Sequence, residues 1–294
     1  MRITNQLQTG NAIQYMNDNL SKLTDLQNRV SSGKTFQNPS DDPAGFSAAV
    51  SLRSTMQQTD TYINTINVSS DWMSATEYSL GQLVDLATRA VNLGQQGLSD
   101  TVGADERSAA LGTEVDAILQ NAVQIGNTTQ QGSYLFSGTK VQTQPFSMVD
   151  ANTPGYAGNN GKLQREISPN QTVNVNADGN ATITPFLQSL VDVRNALNTN
   201  NTDDLKTALT SLNSSMNTIV QVRTATGATQ RQLQTSLDRL NNTQTELKSL
   251  LSQKEDVNMA EAISQMSNQQ TVYQTVLEVG QRSISALNLF DYLR

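Results

Sequence analysis

A repeat of apolar side chains near the N-terminus restricts how the first part of the chain can fold. The repeat alternates spacings of three and four between Ile13 and Val30, and one glutamine, Gln27, occupies a position in it. This alternation places its members on one face of a helix and predicts a coiled-coil seam. Gly33 then ends the helix, because glycine adopts the left-handed backbone conformation that closes one. The members are Ile13, Met16, Leu20, Leu23, Gln27 and Val30.

The C-terminus carries a second repeat with the same alternation, over residues 259–287. Asn258 and Glu261 resemble a capping box, which predicts a helix boundary between Asp256 and Asn258. The repeat therefore predicts a second helix with an apolar seam. Its members are Met259, Ile263, Met266, Gln270, Tyr273, Leu277, Gly280, Ile284 and Leu287, and Leu289 and Phe290 add apolar side chains beyond them.

Apolar seams at both extremities need a partner, because the ends of a chain fray unless something holds them. A coiled coil between the two ends of one chain would bury one side of each helix only. We therefore expect both ends to order fully when they pack on copies of the same chain. Gln27 and Gln270 are predicted to fix the register of that packing, as buried amides do in coiled coils. The predicted assembly interface comprises all the residues named above for the two seams and their extension, except Gly280.

The middle of the chain predicts helices on either side of a β-rich insert. Apolar residues recur at helical spacing over 44–92, over 104–129 and again after Pro185, whereas residues 132–185 are rich in Gly, Pro and Asn and predict β-hairpins, with a turn at Asp178-Gly179. Only 36% of residues are hydrophobic, so apolar surface is spread thinly along the helices. An elongated, mainly α bundle with coiled-coil helices at both termini and a small β-rich insert is expected. The predicted domains are a terminal coiled-coil domain (1–37 and 257–294), a helical body domain (38–131 and 186–256) and an outer β-rich domain (132–185).

Composition argues against most catalytic and nucleic-acid functions. The chain has no cysteine and no histidine, which removes thiolates, imidazole bases and the usual transition-metal ligands. The net charge is −7, and Lys and Arg are scattered, so neither nucleic acid nor an anionic membrane is expected as a partner. The chain has no apolar run of the ~18 to 20 residues that span a bilayer, and residues 1–10 are polar where a signal peptide is apolar. We expect a soluble protein that does not use the general secretory route, with no cofactor, metal site or catalytic residue.

Three local patterns have a structural explanation that outweighs the functional one. Ser31 and Lys34 match the Ser-x-x-Lys pattern of some acyl-transfer enzymes, but the companion motifs are missing. Residues 174–179 resemble the start of a calcium loop without its first carboxylate, so a hairpin turn is favoured. The acidic pairs Asp41-Asp42 and Glu255-Asp256 are predicted to stabilise the starts of helices, because carboxylates favour the positive end of the helix dipole.

The chain resembles the bacterial flagellin family along nearly its whole length. Residues 30–34 (VSSGK), followed by 41–45 (DDPAG), are similar to the N-terminal signature of that family. Arg223, with Gly227-Ala228 and Gln230, is similar to the C-terminal signature, and Asp256 with the final amphipathic helix completes the resemblance. The resemblance implies terminal helices that form a nested coiled-coil core, a helical body and an outward-facing β domain.

Several features favour a junction subunit between hook and filament over the filament subunit itself. They are residues 1–4 (MRIT), Pro43, residues 132–138 (GSYLFSG) leading to Pro145-Phe146, Arg231 where flagellins usually have Asn, and the C-terminal residues 289–294 (LFDYLR). The resemblance then implies a structural protein without enzymatic activity that forms a ring of identical subunits in the extracellular flagellum. It also implies export through the flagellar type III apparatus, a cytoplasmic export chaperone, hook-associated protein 1 on the hook side and flagellin on the filament side.

Two alternative structural or secreted roles stay open at this point. A filament flagellin would share the helical ends, and so would a secreted effector or translocator of a related export system. An enzyme is a remote third, and it would rest on the Ser31–Lys34 pattern alone.

Overall fold

The computed structural model describes residues 2–99, 103 and 107–292, and most of them are helical. A π-helical segment, Arg107–Gly112, leads directly into the third helix. Over the described residues, none of the helices combines the length and the apolar character needed to cross a membrane. The helices are α1 (Arg2–Ser32), α2 (Pro43–Gly97), α3 (Thr113–Gly126), α4 (Gly179–Thr182), α5 (Thr184–Asn198), α6 (Thr202–Glu255) and α7 (Met259–Tyr292).

Local signals in the sequence determine where the helices of the two ends begin and stop. Gly33 has a φ of +71°, and its N–H bonds to the carbonyl of Arg29 at 2.9 Å, which closes α1. Pro43 begins α2, and the carboxylate of Asp42 accepts the N–H of Gly45 at 2.9 Å. Asn258 accepts the N–H of Glu261 at 3.4 Å immediately before α7. The predicted stop and both predicted starts are therefore confirmed.

The chain forms two compact units. The first comprises Met1–Gln58 and Gln244–Arg294, and the second comprises Thr59–Thr243. The first unit contains α1 and α7 together with the adjoining ends of α2 and α6. The three-domain division that the sequence predicts stays a prediction.

The second unit has a helical core to which four helices contribute. Buried side chains include Leu83 of α2, Ile118 of α3, Phe186 of α5 and Leu212 of α6. Burying a side chain of this size stabilises the fold by roughly 1.5 to 3 kcal/mol, so a cluster of this kind holds the unit together without a disulfide. This core accounts for the regular 3.6-residue apolar pattern along these helices.

Residues 129–174 form three separate antiparallel hairpins, which confirms the small β-rich insert. In the last hairpin, Ile167 and Val173 are buried against Ile66 of α2 and Leu233 of α6. A two-stranded hairpin is marginal by itself, so this packing supplies the stability that it lacks. The hairpins are β1 (Thr129–Gln130) with β2 (Ser133–Tyr134), β3 (Phe146–Asp150) with β4 (Thr153–Tyr156), and β5 (Gln164–Ser168) with β6 (Gln171–Asn174).

The hairpin turn that the sequence predicts at Asp178-Gly179 is wrong. The carboxylate of Asp178 accepts the N–H of Ala181 at 3.0 Å and caps the short helix α4. The turn between β5 and β6 includes Asn170, whose φ is +61°. Aspartate followed by glycine is common both in hairpin turns and at helix starts, and here the capping role prevails.

Candidate assembly interface

Helices α1 and α7 pack against each other as an antiparallel pair within the first unit. At the base of the pair, the N–H of Val257 bonds to the carbonyl of Gly33 at 2.9 Å. Farther along, Met16 lies beside Gly280, where a Cβ would come within 3.3 Å of the Met16 sulfur. The end of α1 therefore lies beside the start of α7, and the two helices run in opposite directions.

The seam between α1 and α7 follows a strict alternation of three and four. On each helix, the positions with the least exposure recur at that spacing, which is the a/d pattern of a coiled coil. The two terminal helices of one chain thus cover one side of each other. The seam positions are Ala12, Met16, Asn19, Leu23, Leu26 and Val30 on α1, and Ala262, Met266, Gln269, Tyr273, Val276 and Gly280 on α7.

The structure divides the predicted seam residues between two sides of the pair. Members that face the partner helix within the chain are Met16, Leu23, Val30, Met266 and Tyr273. Members that are exposed are Ile13, Leu20, Gln27, Met259, Ile263 and Gln270, and Leu277 is half-buried. The side chains of Ile284, Leu287, Leu289 and Phe290 lie outside those that the structure describes. Whether any of these residues contacts another copy stays a prediction.

Five of the exposed members, together with half-buried Leu277, form a second stripe next to the seam, whereas Met259 fits the alternation of the seam itself. Ile13, Leu20 and Gln27 follow one another at intervals of seven, and so do Ile263, Gln270 and Leu277. Two antiparallel helices are related by a two-fold axis perpendicular to the plane that contains both of them. Rotation about this axis exchanges the helices, but it leaves each side of that plane where it was. Equivalent heptad positions of α1 and α7 therefore lie on the same side. We call this side of the pair the outer face.

The outer face carries apolar, amide and hydroxyl side chains and no charge along the described helices. Ile13, Leu20 and Ile263 are 50%, 44% and 48% exposed, although they are large and apolar. The charged residues of α1 between positions 13 and 30 occupy other sides of the helix. Depletion of charge with retained apolar residues is the compositional mark of the core of a protein interface. The outer-face residues are Ile13, Asn17, Leu20, Thr24 and Gln27 on α1, and Ala260, Ile263, Ser267, Gln270, Gln274, Leu277 and Gln281 on α7.

The opposite side of the pair contains a cleft of about 300 Å³. Small residues leave this space, since Ala12 and Gly280 occupy seam positions there. Tyr15 of α1 and Val279 of α7, which are exposed, line the same cleft. Their common location supports the assignment of sides, because both occupy the heptad position on the other flank of the seam.

At the base of the pair, the segment between α1 and α2 contacts the segment between α6 and α7. We call this set of contacts the crossover clasp. The N–H of Thr35 bonds to the carbonyl of Glu255 at 2.7 Å, and Lys34 Nζ lies 2.7 Å from Asp256 Oδ1. The buried carboxylate of Glu255 pairs with the guanidinium of Arg53. Glu255 ends α6 and Asp256 follows it, so the expectation that this acidic pair stabilises a helix start is wrong, and Asn258 has that role instead.

The electrostatics of the clasp also bear on the Ser-x-x-Lys pattern. The hydrogen bond from Lys34 lowers the pKa of Asp256 below its ordinary value, and the same bond raises the pKa of Lys34. Lys34 is therefore held in its charged form, in which it cannot act as a base toward the exposed hydroxyl of Ser31. This geometry favours the structural explanation of the pattern.

An amide pair within the seam was missed in the sequence. Gln269 Nε2 donates to Asn19 Oδ1 at 2.9 Å, and both residues are half-buried between α1 and α7. A search for apolar repeats passes over these positions. Their spacing could have identified them: Asn19 lies three residues after Met16, and Gln269 lies three residues after Met266. Both therefore fit the three-four alternation of the seam between α1 and α7.

Comparison with known families agrees with the resemblance to flagellin. The model described as the bacterial flagellin N-terminal helical region matches residues 3–141. The model described as the bacterial flagellin C-terminal helical region matches residues 209–290. Together they account for most of the chain, including both helices of the terminal pair.

Three curated relatives align with the chain. Flagellar hook-associated protein 3 of Escherichia coli is 27% identical over 267 residues, which is 82% of this chain and 83% of that protein. The protein of the same name from Salmonella typhimurium is 27% identical over 184 residues, so the match spans 61% of this chain but only 56% of the relative. A flagellin of Listeria monocytogenes is 21% identical over 271 residues, 90% of each chain.

Solved structures show the same fold. The crystal structure of the flagellar junction protein FlgL from Legionella pneumophila superposes with a TM-score of 0.59 at 15% identity. The superposition covers 71% of this chain and all of that one. At this level of identity the likeness concerns the fold alone.

Proposed function

Because this chain belongs to the bacterial flagellin family, we propose that it is the structural subunit that joins the hook of a bacterial flagellum to its filament. Relatives named hook-associated protein 3, one of which aligns over most of the chain, support this role. The sequence features from residues 1–4 to 289–294 that separate it from filament flagellin support it as well. The protein would be exported through the flagellar type III apparatus and would function outside the cell.

The outer face of the terminal pair carries this proposal physically. Three large apolar side chains remain about half exposed on a surface without charge, next to a seam that the chain has already filled by itself. Apolar residues at a, d and one flanking position make a face wider than a two-helix contact requires, and such a face is typical of larger helical bundles. We infer that the outer face completes its packing against other subunits.

The partners follow from the position in the flagellum. A ring of identical subunits would use heterologous contacts, because an interface between two different patches closes into a ring when the rotation allows it. Hook-associated protein 1 would meet the ring on the hook side and flagellin on the filament side. A cytoplasmic chaperone would cover the terminal helices before export, when their apolar stripes have no partner.

A filament subunit is the second candidate, favoured by the alignment with the Listeria flagellin over 90% of each chain. Localisation on intact flagella separates the two. We expect an epitope tag in an exposed loop, with immunogold detection, to mark a short band at the end of the hook. Label along the whole filament would instead identify a flagellin, and label absent from flagella would refute both roles.

A further inference from the structure

The amide pair is the polar interruption in the α1–α7 seam for which the structure shows a direct partner. Gln269 Nε2 donates to Asn19 Oδ1 at 2.9 Å and approaches the Asn19 carbonyl at 3.4 Å. Asn19 Nδ2 in turn donates to the carbonyl of Tyr15 at 2.7 Å. The Asn19 oxygen and the Gln269 nitrogen thus have partners that exist only when these two positions are adjacent, whereas the bond to Tyr15 lies within α1.

The seam differs on the two sides of the amide pair. Toward the clasp it contains Leu23, Leu26 and Met266, whose size restricts how the helices can fit together. Toward the helix ends Ala12 and Gly280 alternate with Met16, Tyr273 and Val276, and the two small residues border the cleft of about 300 Å³. Small residues with space around them lose little packing when one helix slides along the other, so they specify register weakly.

The crossover clasp anchors the base of the pair, and the amide pair lies about 20 Å farther along α1, given 1.5 Å per residue, so the two sets of contacts align different parts of the pair. The Lys34–Asp256 ion pair of the clasp joins side chains that are 39% and 46% exposed. Exposed ion pairs typically stabilise a fold by about 0 to 1 kcal/mol, so this one adds little to the backbone hydrogen bonds and the Arg53–Glu255 pair at the base.

We propose that the Asn19–Gln269 hydrogen bond sets the register and the choice of partner of the terminal helix pair. A single polar residue in an apolar seam does this because every other alignment buries an amide without its partner. Asn19 and Gln269 are positioning residues, since they act by aligning α1 and α7 and need not contact another subunit. This role is independent of the junction function, because it concerns the isolated chain.

Register determines which side chains of the outer face lie side by side. A slip of one heptad displaces one helix by about 10 Å, given a rise of 1.5 Å per residue. Leu20, which lies level with Gln270 when Gly33 bonds to Val257, would then lie level with Ile263 or Leu277, so the order of apolar and amide side chains across the face would change. The amide pair therefore builds the assembly surface without being part of it.

Engineered cysteines test the proposal in a chain that has none of its own. Met16→Cys with Gly280→Cys reports the native register, because the Cβ position at 280 lies 3.3 Å from the Met16 sulfur. Ala12→Cys with Tyr273→Cys reports a slip of one heptad, because Ala12 lines the same cleft as Gly280 and Tyr273 lies seven residues before Gly280. Each reporter is oxidised in the otherwise unchanged chain, in the Asn19→Leu/Gln269→Leu variant, and in the control variant Gln27→Leu/Gln270→Leu, which changes amides on the outer face. Circular dichroism and hydrogen exchange of α1 and α7 are measured in parallel.

We expect the Asn19→Leu/Gln269→Leu variant to keep its helices while its 16–280 cross-link falls by at least about threefold, as the apolar replacement of a register-setting residue predicts. Cross-links between 12 and 273, or between chains, should appear in its place. The control should cross-link as the parent does. A native cross-link at the parental yield in the Asn19→Leu/Gln269→Leu variant would overturn the proposal. So would the loss of both cross-link and helix, which would mean that the amides only stabilise the pair, or equal scrambling in the control.

Discussion

Shortening two side chains of the outer face, Leu20→Ala with Ile263→Ala, tests whether this face holds subunits together. Both side chains are nearly half exposed in the isolated chain, so about half of their transfer free energy is still available to an interface. Full burial of such a side chain contributes roughly 1.5 to 3 kcal/mol, and the remaining halves of two side chains sum to roughly 1.5 to 3 kcal/mol. Association should weaken by roughly 10- to 150-fold, because about 1.4 kcal/mol corresponds to a factor of ten.

The assay is binding of the purified chain to isolated hooks that carry hook-associated protein 1. The half-saturating concentration of the double variant should rise by the factor given above. The matched control is Ser21→Ala with Ser264→Ala, which removes exposed polar atoms from the same two helices away from the seam. The control should bind as the parent does. Thermal unfolding of both variants, followed by circular dichroism, separates lost association from lost folding.

Unchanged binding of the Leu20→Ala/Ile263→Ala variant would refute the outer face as an assembly surface. A large loss of stability in the isolated chain would also contradict the reasoning, since it would mean that these side chains are already packed within the molecule. Weakened binding by the serine control would show that any change in the terminal pair disturbs the contact, and the specific role of the outer face would then be wrong.

Three further predictions concern other parts of the molecule. Truncation after Gly280 removes Ile284, Leu287, Leu289 and Phe290. We expect the second unit of the truncated chain to unfold at the parental temperature, but we expect the chain to support no filament growth in cells. Normal filaments would contradict the terminal-seam argument. Ile167→Ala should destabilise the second unit by about 2 to 5 kcal/mol in denaturant unfolding, because the buried side chain joins the last hairpin to α2 and α6. Thr172 is exposed, so Thr172→Ala should lower the free energy of unfolding by less than about 0.5 kcal/mol. The pKa of Asp256 is lowered, so its pairing with Lys34 stabilises the fold above the ordinary carboxyl pKa, and this stabilisation is lost as the pH falls through the lowered pKa. The melting temperatures of the parent and of Lys34→Ala should therefore differ near neutral pH and converge in acid. A difference that stays constant with pH would refute the pairing.

Features fixed by a few neighbouring residues could be predicted from the sequence. Gly33, Pro43 and Asn258 act on the adjoining backbone through conformation or capping, so the ends of the terminal helices were predictable. Asp178 was not, because the same residue pair suits a hairpin turn and a helix start, and the packing of the following helix decides between them.

The division of the seam could not be read from the sequence for a different reason. Ile13, Leu20 and Ile263 extend the apolar pattern beyond two positions per heptad, so more than one alternation of three and four fits each helix. The alternation that pairs α1 with α7 includes Asn19 and Gln269, which an apolar search discounts. Only the position of the partner helix shows which of the overlapping stripes is covered within the chain and which stays exposed.

The two sets of amides would have opposite roles in the proposed assembly, one within the chain and one toward its neighbours. Asn19 and Gln269 are satisfied inside the chain, whereas Gln27 and Gln270 are exposed on the outer face. Exposed amides interrupt the apolar stripe and keep its patches small in the free molecule, which limits indiscriminate association. On assembly the same amides lose water and need hydrogen-bond partners, so a neighbour that supplies none is penalised by about 1 to 3 kcal/mol for each buried amide. In the proposed assembly, the outer face would therefore select its neighbours by the hydrogen-bond partners that its amides require as well as by the packing that its apolar side chains offer.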